Sequence, residues 1–263
     1  MKRPIRYQTF WSSYGLPWLL PVLIVIVWQL LGTFGAMSDR ILPTPLAVVQ
    51  AAITLIGNGQ LLEYVGVSTQ RAVLGFLIGG SIGFVLGFLN GIVPLAEKLT
   101  DTSMQMIRTI PHLSLIPLVM LWFGIGEEAK VFLVALGVTF PIYLNTLHGI
   151  RSVDAGLIEM GRTYGLSGWA LFSKIILPGA LPSVLVGIRF ALGIMWITLI
   201  VAETISADSG IGYMAMNARE FFQFDVVVLG ILLYALLGKL SDWLAKLMER
   251  SWLKWHPQYQ PKS

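Results

Sequence analysis

Residues 159–178 read EMGRTYGLSGWALFSKIILP, a polar interlude between two long apolar runs. Around its start, Val153, Leu157, Met160 and Tyr164 recur at helical spacing, while Asp154, Glu159, Arg162 and Thr163 fall elsewhere on the wheel. The spacing predicts a short amphipathic helix. Gly165 stops it, because a glycine just past the last periodic residue takes the left-handed conformation without a Cβ penalty. Ser167 is placed to cap a second short helix, in which Trp169, Phe172 and Ile176 share a face and which Pro178 is expected to end. Two helices at a sharp corner form a knob suited to docking in a cleft of another protein; by shape alone an ordinary interfacial connector serves as well.

Outward from this stretch the chain is dominated by apolar residues. Of 263 residues, 56% are hydrophobic and 12% charged, and the mean hydropathy is +0.74. That composition excludes a soluble domain of this size and indicates an all-α integral membrane protein. Crossing a hydrocarbon core takes about 20 predominantly apolar residues as helix. Six runs are candidates: Leu16 to Phe34, Ala72 to Val93, Leu113 to Phe123, Val131 to Leu147, Pro182 to Ile205 and Val226 to Leu247. The third is short, contains Pro117, and needs Ile107 and Ile110 to reach full length. Residues 1–263 are thus expected to form a single transmembrane domain. The first run reads as a retained anchor, since it is long and lacks a small-residue cleavage pattern.

Lys and Arg sort if the N-terminus is cytoplasmic. Lys2, Arg3, Arg6, Lys98, Arg108, Arg151, Arg162, Lys174, Lys246, Arg250, Lys254 and Lys262 then fall inside, and Arg40, Lys130 and Arg219 in outside loops. The positive-inside rule therefore puts both termini and the knob in the cytoplasm. The net charge of +4 belongs to these flanks and argues for membrane orientation, not for nucleic-acid binding. Absence of cysteine excludes disulfides, thiol catalysis and thiolate metal sites.

In chain order, Ser38 to Gln70 reads as the largest outside segment, with a helix over Ala47 to Ile56 and a turn at Gly57-Asn58-Gly59. Gly75, Gly79, Gly83, Gly87 and Gly91 then form one small-residue stripe, a packing face for another helix. Gly79, Ser81 and Gly83 also spell G-x-S-x-G, but that nucleophile motif needs a strand-to-helix turn. Pro94 to Pro111 reads as a solvated cytoplasmic loop, Gly124 to Lys130 as a tight outer turn and Asp208 to Gly212 as a flexible outer loop. Tyr213 to Phe222 is too polar to span and reads as a short surface helix. His112 and His148 each lack a second ligand at helical spacing, so no metal site is expected.

The fifth run holds Arg189 and Glu203, fourteen residues and about 21 Å apart along a helix. They cannot pair within that helix. Local partners at the two boundaries are the simpler reading, with Arg189 snorkelling inward, and lining of a solute path is the alternative. Met195, Trp196, Thr198 and Glu203 are the path candidates.

The anchors Glu159, Gly165, Ile175, Leu177 and Pro178 match in type and spacing the EAA loop of ABC importer permeases. Met160 and Gly161 stand where that pattern has two alanines. Beyond the loop, the stretches 40–45 (RILPTP), 110–130 (IPHLSLIPLVMLWFGIGEEAK), 140–150 (FPIYLNTLHGI) and 176–221 resemble the nitrate, taurine and sulfonate branch of binding-protein-dependent ABC permeases, above all its aliphatic sulfonate permeases. The resemblance implies a type I ABC importer permease fold in a bacterial inner membrane. It also implies a second copy of the chain, two cytoplasmic ATPase subunits that use ATP and Mg, and an extracytoplasmic solute-binding protein. In it, the loop at about 150–180 couples the ATPase to the spans through Glu159 and Gly165. The solute would be an aliphatic sulfonate, or else taurine, nitrate or another small anion. No G-x-x-x-x-G-K-[ST] occurs, so the chain itself is expected to bind no cofactor and catalyse nothing.

Two rival classes are weaker. An intramembrane serine protease could use Gly165-Leu166-Ser167-Gly168, but no histidine base falls in the fifth or sixth run and His256 lies in the tail. A secondary transporter would be expected to show an inverted repeat, and none is evident between the halves.

Overall fold

The computed structural model describes residues 16–35, 37–38 and 41–255. Lys2, Arg3, Arg6, Arg40, His256 and Lys262 lie outside them. The described chain is helical almost throughout and groups into two compact units, the described residues up to 62 with 214–231, and residues 63–213 with 232–255.

The first unit holds α1 (Leu16–Thr33) and α2 (Pro45–Gly57). Thr44 caps α2 by accepting the Ala47 amide, and Trp28 Nε1 donates to the Pro43 carbonyl at 3.0 Å, tying α1 to the entry of α2.

The second unit is built on α6 (Glu127–Arg151), which packs against α3 (Gln60–Ile92) and α9 (Leu177–Ser206). The glycine stripe of α3 faces α6. A Cβ on Gly79 would come within 2.1 Å of the Ala135 carbonyl oxygen, and one on Gly83 within 2.3 Å of that of Thr139. Thr139 Oγ1 also donates to the Gly79 carbonyl at 3.1 Å. The two backbones touch, which only a small-residue stripe permits. Between α6 and α9, a Cβ on Gly149 would come within 2.8 Å of the Ala180 carbonyl oxygen and one on Gly187 of α9 within 2.6 Å of Asn145 Cβ, and Ser183 Oγ donates to the Asn145 carbonyl at 2.8 Å. Ile116, Val119, Ala129, Leu133 and Ala202 close an apolar core between α5 (Ile116–Phe123), α6 and α9.

Several expectations are corrected. The chain enters α3 at Gln60, so the last third of the expected outside segment is helix. Pro94–Thr109 is not a loop but α4, an amphipathic helix whose Glu97 pairs with Arg151. The third span is not straight: α4 and the helical segment His112–Phe123 meet at 82°. Ile110 is extended at φ −75°, ψ 121°, because the ring of Pro111 disfavours the α conformation before it. α6 begins at Glu127, which puts Lys130 on a helix and buries it. Among the described residues, four helical segments are long and apolar enough to cross a membrane, α3, α6, Gly168–Ile205 and α11 (Phe224–Trp252); the bent pair makes a fifth, and α1 is a shorter apolar helix.

Candidate functional site

The knob follows α6 directly. Asp154 caps α7 (Ala155–Thr163) by accepting the Leu157 amide at 3.2 Å. The end of α7 is a Schellman motif: the Leu166 amide donates to the Gly161 carbonyl at 3.0 Å and the Gly165 amide to that of Arg162 at 2.9 Å, with Gly165 at φ +80°. A side chain at Gly165 would strain this corner.

Past the corner, Ser167 adopts N-cap backbone angles but its side chain caps nothing. Nor does Pro178 end the second helix. α8 (Gly168–Leu171) passes through a π-turn (Phe172–Ile176) into α9, so the second helix of the knob and the fifth span are one continuous rod. The Leu177 amide reaches back to the Phe172 carbonyl, and this wider turn shifts the register just before a residue with no amide to give. Pro178 stands in the first turn of α9, where a missing N–H costs little.

Gly161 is buried where the two helices of the knob meet. A Cβ there would come within 2.3 Å of Ile175 Cδ1 and 2.9 Å of Leu171 Cδ1. The departure from alanine thus coincides with a tight seat for Ile175. Glu159 and Met160 are exposed, as are Leu157, Tyr164 (81%) and Trp169 (73%). Leu177 and Pro178 are half-buried at the root of the rod.

The path candidates on α9 are all buried within the chain. Met195 and Trp196 border an apolar cavity of about 320 Å³ between α3, α9 and α11, and Trp196 Nε1 donates to Ser241 Oγ at 2.8 Å. Thr198 Oγ1 lies 2.9 Å from His112 Nε2. Arg189 pairs with Asp242 of α11 at 2.7 Å.

Glu203 sits at the end of the unit away from the knob, in a cluster that motif spacing did not announce. Its carboxylate accepts from Ser68 Oγ, Arg71 Nη1, Tyr234 Oη and the Gly212 amide, at 2.8–2.9 Å. Arg71 also donates through Nε and Nη2 to Glu127, at 2.5 Å each, and through Nη1 and Nη2 to the carbonyl and hydroxyl of Ser209. Lys130 Nζ lies 3.2 Å from Glu127 Oε1. Residues 208–212 are therefore pinned, not flexible. A Cβ on Gly210 would fall 2.5 Å from Glu203 Oε1, and one on Gly212 2.5 Å from Glu203 Cβ. One clue was present in the sequence: Arg71 and Glu203 are opposite charges at matching ends of antiparallel apolar runs.

The family model described as binding-protein-dependent transport system inner membrane component matches residues 75–254. The chain belongs to this family. SsuC of Escherichia coli strain K12, named as an aliphatic sulfonates transport permease protein, is 62% identical over 252 residues, 96% of each chain. The SsuC protein of Bacillus subtilis strain 168 is 45% identical across 98% of this chain and 93% of its own. The taurine transport system permease protein TauC of E. coli K12 is 32% identical across 90% and 88%. Among solved structures, an amino acid ABC transporter with histidines superposes with a TM-score of 0.62 at 18% identity, over 78% of this chain and 97% of that one. The inward-facing MetNI methionine ABC transporter gives 0.51 at 19%, over 80% and 99%. At such identities the likeness is one of fold, and the fold is that of type I ABC importer permeases.

Proposed function

We propose that this chain is the pore-forming subunit of an ATP-driven importer of aliphatic sulfonates. The observation that carries the substrate is the near full-length 62% identity to the E. coli permease named for aliphatic sulfonates, about twice that to the taurine permease. The working unit would be two copies of the chain, two cytoplasmic ATPase subunits holding ATP and Mg, and an extracytoplasmic binding protein, in a bacterial inner membrane with both termini cytoplasmic.

The knob is the coupling element. Its exposed Leu157, Met160, Tyr164 and Trp169 beside Glu159 form an amphipathic face of the kind that aromatic anchors give protein interfaces. The continuity of α8, the π-turn and α9 supports a lever, since motion imposed on the knob passes along one rod to Met195, Trp196, Thr198 and Glu203.

Uptake of radiolabelled ethanesulfonate, taurine and nitrate by cells expressing the chain with its ATPase and binding protein tests the reading. ATP-dependent uptake of ethanesulfonate above the other two supports it. Equal or greater uptake of taurine or nitrate reassigns the substrate, and uptake that survives loss of the ATPase overturns the mechanism.

A further inference from the structure

The cluster around Arg71 treats its two carboxylates differently. Glu203 is fully enclosed and satisfied by four donors on three segments, as expected of a structural counter-ion. Glu127 is 57% exposed, although its partners Arg71 and Lys130 are each only 2% exposed. It occupies the first turn of α6, where turning to solvent breaks no backbone bond. Beside it lies a cavity of about 310 Å³, whose wall includes Val67, Gln70, Leu74 and Ser209 as well as Arg71 and Glu127.

We propose that Arg71, Lys130 and Ser209 form an oxyanion-binding site at the end of the unit away from the knob, in which the Glu127 carboxylate is a displaceable stand-in for the ligand. Arg71 presents Nε and Nη2 side by side to Glu127, a fork that fits two oxygens of a sulfonate or phosphate monoester as well as those of a carboxylate. Ser209 Oγ lies 2.9 Å from Nη2, and Lys130 Nζ lies 3.2 Å from the Glu127 oxygen that the ligand would replace. With Glu127 swung away, the two enclosed cations Arg71 and Lys130 face one enclosed carboxylate, Glu203, while the exposed Asp208 accepts from Ser209 Oγ at 3.4 Å. Among the enclosed groups that leaves one positive charge for an anion to neutralise, with Asp208 screened by solvent. The cavity accepts a short tail, with Val67 and Leu74 as apolar wall. A small sulfonate from solution and the phosphate of an anionic lipid share this chemistry. The inference concerns binding, so it stands apart from which solute the transporter imports.

The test is titration of the purified full-length chain with methanesulfonate by calorimetry, in detergent and in nanodiscs of phosphatidylcholine with and without phosphatidylglycerol. If the capped form is about nine-tenths of the population, Glu127→Ala binds methanesulfonate about tenfold more tightly than wild type. Adding Lys130→Met to Glu127→Ala should remove that gain. Loss of methanesulfonate binding when phosphatidylglycerol is present identifies the lipid phosphate as an occupant, and indifference to it identifies the free anion. Glu127→Ala with no greater affinity than wild type for either ligand, at a melting temperature that shows it folded, overturns the proposal. Where Glu127→Ala does not fold, Glu127→Gln keeps the shape without the charge, and wild-type affinity in that variant overturns it equally. Uptake is scored separately, so a chain that imports no sulfonate still tests the site.

Discussion

The two ends of α6 differ in where they find their partners. At its C-terminal end the knob leaves Leu157, Met160, Tyr164 and Trp169 exposed, and its internal bonds join residues close in sequence. At its N-terminal end Glu127 and Lys130 join a cluster in which every Arg71 nitrogen is engaged, with partners 56, 132 and 138 residues away. A rigid element with bare apolar side chains is built to be covered by something else. The enclosed pair at the centre of that cluster, Arg71 with Glu203, is built to hold the chain itself. Substitutions at the knob should therefore spare the fold while weakening attachment of the proposed ATPase, whereas those at Arg71 or Glu203 should cost the fold itself.

The largest effect belongs to Arg71→Ala. It leaves Glu203 enclosed with no cation, and breaking a buried pair from one side costs about 3–5 kcal/mol. Thermal unfolding of the detergent-solubilised chain should show a large drop in melting temperature, together with loss of transport. A variant that melts with the wild type would mean the cluster is not what closes that end.

Next comes Gly79→Val on the α3 stripe. The added atoms meet the Ala135 backbone, which cannot rotate away, so the helices must part at a cost of about 1–3 kcal/mol. Gly193 on α9, with nothing within 4 Å of its Cβ position, is the control: Gly193→Ala should leave the melting temperature unchanged within the chain. Equal effects at the two positions would show that close approach is not what the stripe serves.

Gly165→Arg should cost the fold about 1–2 kcal/mol, since φ +80° is unfavourable for a side chain, yet it should abolish co-purification of the ATPase. Glu159→Lys tests the same face without backbone strain. Normal ATPase recovery in both variants would remove the knob from the docking interface.

What could be read from the sequence follows the same division. Gly165 as helix stop, the α3 stripe and the short helix α2 depend on neighbours within a few turns, and local spacing carries that information. The bend at Ile110–Pro111 was missed although its cause is local, because an apolar run with two prolines fits a tolerated kink as well as a break. Pro178 misled in the opposite direction: a proline in the first turn after a π-turn interrupts nothing, and no residue pattern marks a π-turn. The pinned loop at 208–212 was read as flexible because Asp-Ser-Gly-Ile-Gly has the composition of a mobile turn. Its glycines are there for close approach to Glu203, and that requirement becomes visible only when Arg71 is placed beside them.

The smallest effect, and the finest test of the knob, is at Gly161. Alanine there restores the family pattern, but its methyl meets the ends of Leu171 and Ile175, which are flexible side chains rather than backbone. Rotation of Ile175 should absorb most of the overlap, so Gly161→Ala is expected to lower stability by about 1 kcal/mol and to leave ATPase association intact. If the contact with Ile175 is the reason for glycine, Gly161→Ala combined with Ile175→Val should be more stable than the sum of the single changes predicts. Simple additivity would place the constraint elsewhere in the knob. A double variant that also loses the ATPase would show that Ile175 does more than fill the seat behind Gly161, and that the rigidity of the corner is itself part of coupling.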